Sequence, residues 1–270
     1  DCIMAITSLD NVLAGMKPPN FFSKTFTGTL VAGRPFSPFY LAGIPGAASA
    51  PAPGIAGAAL ASYAGQIPIP AASGNTHLAR FSAVSHANAG MLILADRLWH
   101  NSGIAVTTTT AQTVNSAAWP ARDSGGTTDG KDVYIGLEIV TTTGAGAATP
   151  SISYTNSANT SGKTSTTIDT YAATSAAGMF YRLGLAAGDT GVRSIQSVTL
   201  GVSMTSGSVS LVAYRILAML ELPFAAVPNA LDAMSSGLPR LYDNTVPFLI
   251  FIPQAATTTQ ITGSLVCTQG

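Results

Sequence analysis

Charge is what this chain has least of. Its 270 residues include twelve Lys plus Arg and twelve Asp plus Glu, 9% in all, where an ordinary soluble domain holds about a quarter. The formal net charge is zero and the basic residues are scattered singly. No basic stripe exists to follow a phosphate backbone, so no nucleic-acid partner is expected. Only two cysteines are present, Cys2 and Cys267 at the chain ends. That count fits neither a disulfide framework nor a zinc site with paired ligands. Two free thiols are the expectation, with a bridge between the termini as the alternative.

Long apolar runs are missing too. A spanning helix needs about 20 consecutive apolar residues. The best stretches, 91–98 and 209–222, are shorter and are interrupted by Asp96, Arg97, Tyr214, Arg215 and Glu221, so no membrane partner is expected. The first residues lack a basic segment followed by an apolar run, which removes the expectation of a cleavable signal and leaves the cytoplasm as the expected place of synthesis. Disorder is excluded from the other side, because 47% of the chain is hydrophobic. What remains is a folded chain that hides much of its uncharged surface against other subunits.

Catalytic groups are equally scarce. Only His77, His86 and His100 are available as bases, there is no Gly-x-Ser-x-Gly elbow, and no acid, base and nucleophile converge in the sequence. The only glutamates, Glu138 and Glu221, lie inside strand-like runs rather than beside an open cleft. Gly162-Lys163-Thr164 imitates the end of a phosphate loop, but Ser157 stands where that loop needs its first glycine. A hairpin turn explains it more simply. Asp123, Asp129 and Asp132 lack the spacing of a calcium loop, and Asn159-Thr160-Ser161 is an acceptor tripeptide without a secretory context. The expectation is therefore no enzyme, no cofactor and no metal.

What is present is β pattern. Runs at 78–85, 91–100, 133–140, 151–155, 179–185, 194–203, 208–220 and 248–252 are rich in β-branched and aromatic residues and bounded by turn residues. Val198, Leu200, Val202 and Met204 alternate with Thr199, Gly201, Ser203 and Thr205, which predicts one buried and one hydroxyl-rich face. Gly125-Gly126, Asp129-Gly130, Ser161-Gly162 and Ser206-Gly207 supply turn positions. A short helix is expected at 8–15 between Ser8 and Gly15, and another at 229–236 capped by Asn229. A strand is expected at 24–31. Residues 43–72 are dominated by Ala, Gly and Pro. They read as an extended arm, either flexible or laid across a neighbour through Ile44, Leu60, Tyr63, Ile67 and Ile69, with an ordered intrachain loop as the third choice. The predicted class is all-β, a β-sandwich or jelly-roll-like domain at 75–270 with an extended N-terminal arm at 1–74.

Several stretches carry a family resemblance: Phe36-Ser37-Pro38-Phe39-Tyr40-Leu41-Ala42-Gly43-Ile44-Pro45-Gly46, Val133-Tyr134-Ile135-Gly136-Leu137-Glu138, Ser151-Ile152-Ser153-Tyr154-Thr155-Asn156, Gly188-Asp189-Thr190-Gly191-Val192-Arg193-Ser194-Ile195 and Leu241-Tyr242-Asp243. The chain from about Phe36 onward resembles a group of uncharacterised virion structural proteins of tailed bacteriophages. The resemblance consists of strands and turns and implies no active site. By analogy it implies a capsid decoration, or cement, subunit in the virion, forming a homo-oligomer, a trimer in the favoured case, and contacting the major capsid protein. On that reading the arm buries Phe21, Phe22, Phe26, Phe36, Phe39 and Tyr40 on a neighbour. Two alternatives stand beside it: a neck or tail component, and a host-adhesion or carbohydrate-binding module in which Trp99, Trp119 and Tyr171 stack on sugars.

Overall fold

The computed structural model describes residues 6–26 and 30–270. Helix α1 (Leu9–Ala14) and strand β1 (Asn20–Phe26) come first, followed by the short β2 (Gly43–Ile44) and β3 (Ala58–Ala59). Two long strands, β4 (Thr76–Ser85) and β5 (Gly90–His100), precede β6 (Gln112–Thr113), β7 (Val133–Thr141) and β8 (Ser151–Asn156). Next come β9 (Lys163–Thr164), β10 (Thr166–Thr167), β11 (Phe180–Gly184), β12 (Val192–Thr199) and the longest strand, β13 (Ser208–Leu222). The chain ends with β14 (Asn229–Leu231), α2 (Ala233–Ser236), β15 (Arg240–Leu241), β16 (Pro247–Pro253) and β17 (Thr259–Gln269).

The protein is all-β, and its strands pair antiparallel in three sheets. The first runs β14-β4-β17-β1-β2, with β15 also on β4; the second runs β10-β11-β7-β13-β5-β16, with β3 on β5; the third runs β6-β12-β8-β9. The second sheet is the centre of the molecule because both of its faces are apolar. In β5, Leu92 and Leu94 join one buried cluster and Ile93 and Ala95 join another, as the two-residue period of a strand requires. The first cluster binds the second sheet to the other two. There Phe26 of β1 meets Phe251 of β16 at 5.5 Å, and Ile195 and Val198 of β12 belong to the same cluster as Ile135 and Leu137 of β7. The second cluster contains Phe180, Val212, Tyr214, Phe248 and Ile250 and is roofed by Phe39, Tyr40, Ala48 and Tyr63.

That roof corrects the arm. The described residues before 75 do not project from the body. Strand β1 lies inside the first sheet, between β17 and β2, and the Ala/Gly/Pro stretch is an ordered intrachain cover. The Ala48 N–H donates to the Phe39 carbonyl, Leu60 N–H to Leu98, and Ile67 N–H to Pro247. The composition has a steric reason at Gly57. Its φ is +68, and a Cβ there would stand 2.2 Å from Trp99 Cε2, so the chain can lie flat on the indole only without a side chain. The Trp99 Nε1–H in turn donates to the Ala56 carbonyl at 3.2 Å.

Other boundaries also move. The strand expected at 24–31 is β1, which begins earlier, and residues 27–29 of that expectation lie outside those described. The helix expected at 229–236 divides into β14 and a single turn, α2, capped by Asp232 rather than Asn229. The alternation at 198–205 breaks after Thr199, because Gly201 takes φ +70 and turns the chain, leaving Val202 exposed. Strand β17 carries no strong signal in the sequence, yet it sits between β1 and β4. Cys267 on β17 is a buried free thiol, pushed up to about 11 by burial; the expectation for Cys2 lies outside the described residues.

Candidate interaction surface

The scarce charges are spent inside. Lys24, Asp96, Arg97, Arg122, Asp123, Glu138 and Arg215 are all buried, so the surface is poorer in charge than the composition implies. Glu138 Oε2 accepts from Arg97 Nη2 at 2.7 Å and from the Tyr40 hydroxyl at 2.9 Å. Arg97 also donates from Nε to His100 Nδ1 at 3.2 Å and lies over the Phe39 ring at 4.6 Å. Burial, and after it the Arg97 charge, drives His100 down to about 3, so this imidazole is neutral. Nearby, Arg122 grips Asp96 with Nε and Nη2 at 2.9 and 3.1 Å, and the second Asp96 bond partner is the Val246 N–H. These groups fasten the cover and the β15–β16 connection to the central sheet.

Glu138 lies opposite Ser210 on β13, and Glu221 stands eleven residues further along the same strand; at about 3.3 Å per residue the two carboxylates are roughly 35 Å apart. Among the described residues, no group of three His, Cys, Asp or Glu is placed to hold a metal ion. The Asp123 carboxyl is raised by burial, but bonds from Thr127 N–H and hydroxyl, Lys131 N–H and Gly125 N–H outweigh this and hold it below its ordinary value. Asp123 thus ties its own loop. Gly162 takes φ +73 in the β8–β9 hairpin, as a turn.

The rings expected at an interface separate. Phe22, Phe26, Phe36 and Phe39 are buried in the protein's own core, and Tyr40 is half-buried over Glu138. The reason is the strand period: Phe22, Lys24 and Phe26 share the inner face of β1. Lys24 is accommodated there because its Nζ donates to the Leu41 and Gly46 carbonyls at 2.8 and 3.1 Å. Phe21, on the opposite face, is 50% exposed. Trp99, Trp119 and Tyr171 are all buried, so the rings proposed for sugar stacking are not presented to a ligand.

Phe21 begins a row that runs across the outer face of the first sheet. It stands opposite Ser264, which faces Ser82, which faces Ala230. The next row is Ser23, Thr262 and Val84. Hydroxyls bridge the strands, Ser82 to Ser264 at 3.0 Å and Ser23 to Thr262 at 3.3 Å. Together these rows floor an open groove of about 670 Å³ between Phe21 and Pro228, in which Arg80 is the only charged lining residue. Beside the end of this sheet, α1 buries Val12 and leaves Leu9 and Leu13 exposed, an i, i+4 apolar pair on one side of the helix. Here the protein presents hydroxyl and apolar surface together, with Arg80 as the one charge in the groove. The residue type alone pointed to Phe21; the hydroxyl rows required the register.

No family model matches the chain, and no curated protein matches it. Among solved structures, the VP2 subviral particle of infectious bursal disease virus aligns at 10% identity over 99% of this chain and 84% of that one, with a TM-score of 0.22. Derived T=1 particles of infectious bursal virus align at 9% identity over 99% and 80%, with a TM-score of 0.18. Scores of this size have no bearing on function.

Proposed function

We propose that this chain is a non-catalytic structural subunit of a virus particle, and specifically a decoration subunit on the head of a tailed bacteriophage. It is made in the host cytoplasm, resides in the virion, and works by packing against copies of itself and against the major capsid protein. The observation that carries this reading is the outer face of the first sheet, whose groove has Arg80 as its one charged lining residue and where Phe21 stands half-exposed beside a floor of small hydroxyl residues. Such a face adheres by shape and many weak hydrogen bonds rather than by ionic steering. Covering the exposed half of Phe21 contributes about 1 kcal/mol by area, so attachment depends on a broad contact of at least ~1,000 Å² rather than on one anchor.

Quantitative mass spectrometry of purified particles tests the proposal. A copy number of the same order as the major capsid subunit is the expected result. A few copies per particle would move the chain to the neck or tail, and absence from particles would remove the virion reading altogether.

A further inference from the structure

A second cluster of basic groups lies where β15 meets β4. Arg240 stands opposite His77 across this strand pair. Arg215, from β13 of the central sheet, reaches to the same place and donates from Nη2 to the Arg240 carbonyl at 2.8 Å. The guanidinium carbons of Arg215 and Arg240 lie 5.2 and 5.4 Å from the centre of the Tyr242 ring. Arg215 is only 5% exposed. Its Nε and the Nε of Arg240 are buried without a hydrogen-bond partner.

Buried polar atoms are nearly always paired, so two orphaned guanidinium nitrogens against one tyrosine ring need a common explanation. The acids nearby do not supply one. Asp96 is occupied by Arg122 and the Val246 N–H, and Asp123 by its own loop. Burial first, with the Arg122 charge behind it, holds Arg215 below its ordinary value in spite of Asp96, Tyr242 and Asp123. Burial and then the Arg240 charge likewise hold His77 down, against a bond to the Asn75 backbone. Arg240 and His77 therefore repel each other across the strand pair, Arg215 lies buried against the same tyrosine as Arg240, and a buried cation without its own counter-ion is costly.

We propose that Arg240, Arg215 and His77 form a binding site for an oxyanion seated beside Tyr242. Arginine forks match the paired oxygens of a carboxylate or phosphate, and neutralising Arg240 relieves the repulsion on His77. The oxyanion has two sources, free phosphate or a carboxylate of a second copy of this chain.

The test is an NMR titration of the His77 imidazole in the whole chain, with inorganic phosphate added at constant ionic strength. The expected result is a saturable shift of the His77 signals and a rise of its pKa by about one unit, the size one nearby charge produces. In Arg240→Gln, a half-exposed position, the His77 pKa starts higher and phosphate adds nothing. If phosphate is silent but the same His77 shift appears as protein concentration rises, and is lost in Arg240→Gln, the oxyanion is a carboxylate of a second copy. A His77 signal indifferent to both phosphate and concentration, or an Arg240→Gln protein that responds like the parent, overturns the site.

Discussion

Replacing Glu138 with Leu isolates the Arg97 guanidinium in the interior. Both side chains are fully buried and meet at 2.7 Å. The partner's removal leaves Arg97 with only the Tyr40 hydroxyl at 3.1 Å and His100 Nδ1 at 3.2 Å, neither of which carries negative charge. Breaking a buried pair in this way costs about 3–5 kcal/mol. In a domain of roughly this size each kcal/mol lowers Tm by about 2–4 °C, so the expected fall is about 6–20 °C. The double variant Arg97→Met with Glu138→Leu removes both charges and fills the space with apolar groups. Its stability is expected within about 1 kcal/mol of the parent, or above it, because desolvation of the pair is no longer required. Urea denaturation of the parent, both single variants and the double variant closes the cycle. A double variant as unstable as the sum of the two singles would refute the reasoning, since the two side chains would then act independently.

Three further outcomes follow from the same physics. His100, held near 3, has an unfolded value near 6.5, so the unfolded chain binds the proton first. Stability should fade as pH falls from about 6.5 towards 3, and His100→Gln should flatten the plot of denaturation midpoint against pH in that window; an unaltered slope would assign the effect elsewhere. Gly57→Ala sets a Cβ against the Trp99 ring at a positive φ and should cost about 2 kcal/mol or more in urea unfolding; a neutral substitution would mean that the cover lifts freely from the indole. Phe22→Ala should cost about 3–5 kcal/mol as a core truncation, whereas Phe21→Ser should stay within about 0.5 kcal/mol in the isolated chain and weaken attachment to particles. Equal attachment of the Phe21→Ser and parent chains in a particle-binding assay would remove the outer sheet face from the interface.

The all-β class and most long strands were legible because strand pattern is local. The run Met91-Leu92-Ile93-Leu94-Ala95 shows no alternation because both of its faces are covered, and the hydroxyl-rich turns mark where strands stop. Strand β17 escaped notice because Thr259, Gly263 and Ser264 dilute its apolar residues, although Ile261, Leu265 and Cys267 sit at alternate positions. The candidate surface was legible only in part. Adjacent Phe21 and Phe22 must point to opposite sides of a strand, but nothing local says which side is the core.

Composition by itself determined that the protein folds, that it does so as sheets, and that it keeps little charge for its surface. Only the tertiary structure decided what the Ala/Gly/Pro stretch covers, because a segment without periodicity fits its own chain or a neighbour's equally well until a facing surface is given. Here that surface is the second apolar face of the central sheet, and Phe39 and Tyr63 stack over it at 5.8 Å. The tertiary structure likewise decided that Arg97 and Glu138, 41 residues apart in the chain, neutralise each other in the interior. Pairing of that range depends on strand register, which comes from packing the whole sheet rather than from any one segment.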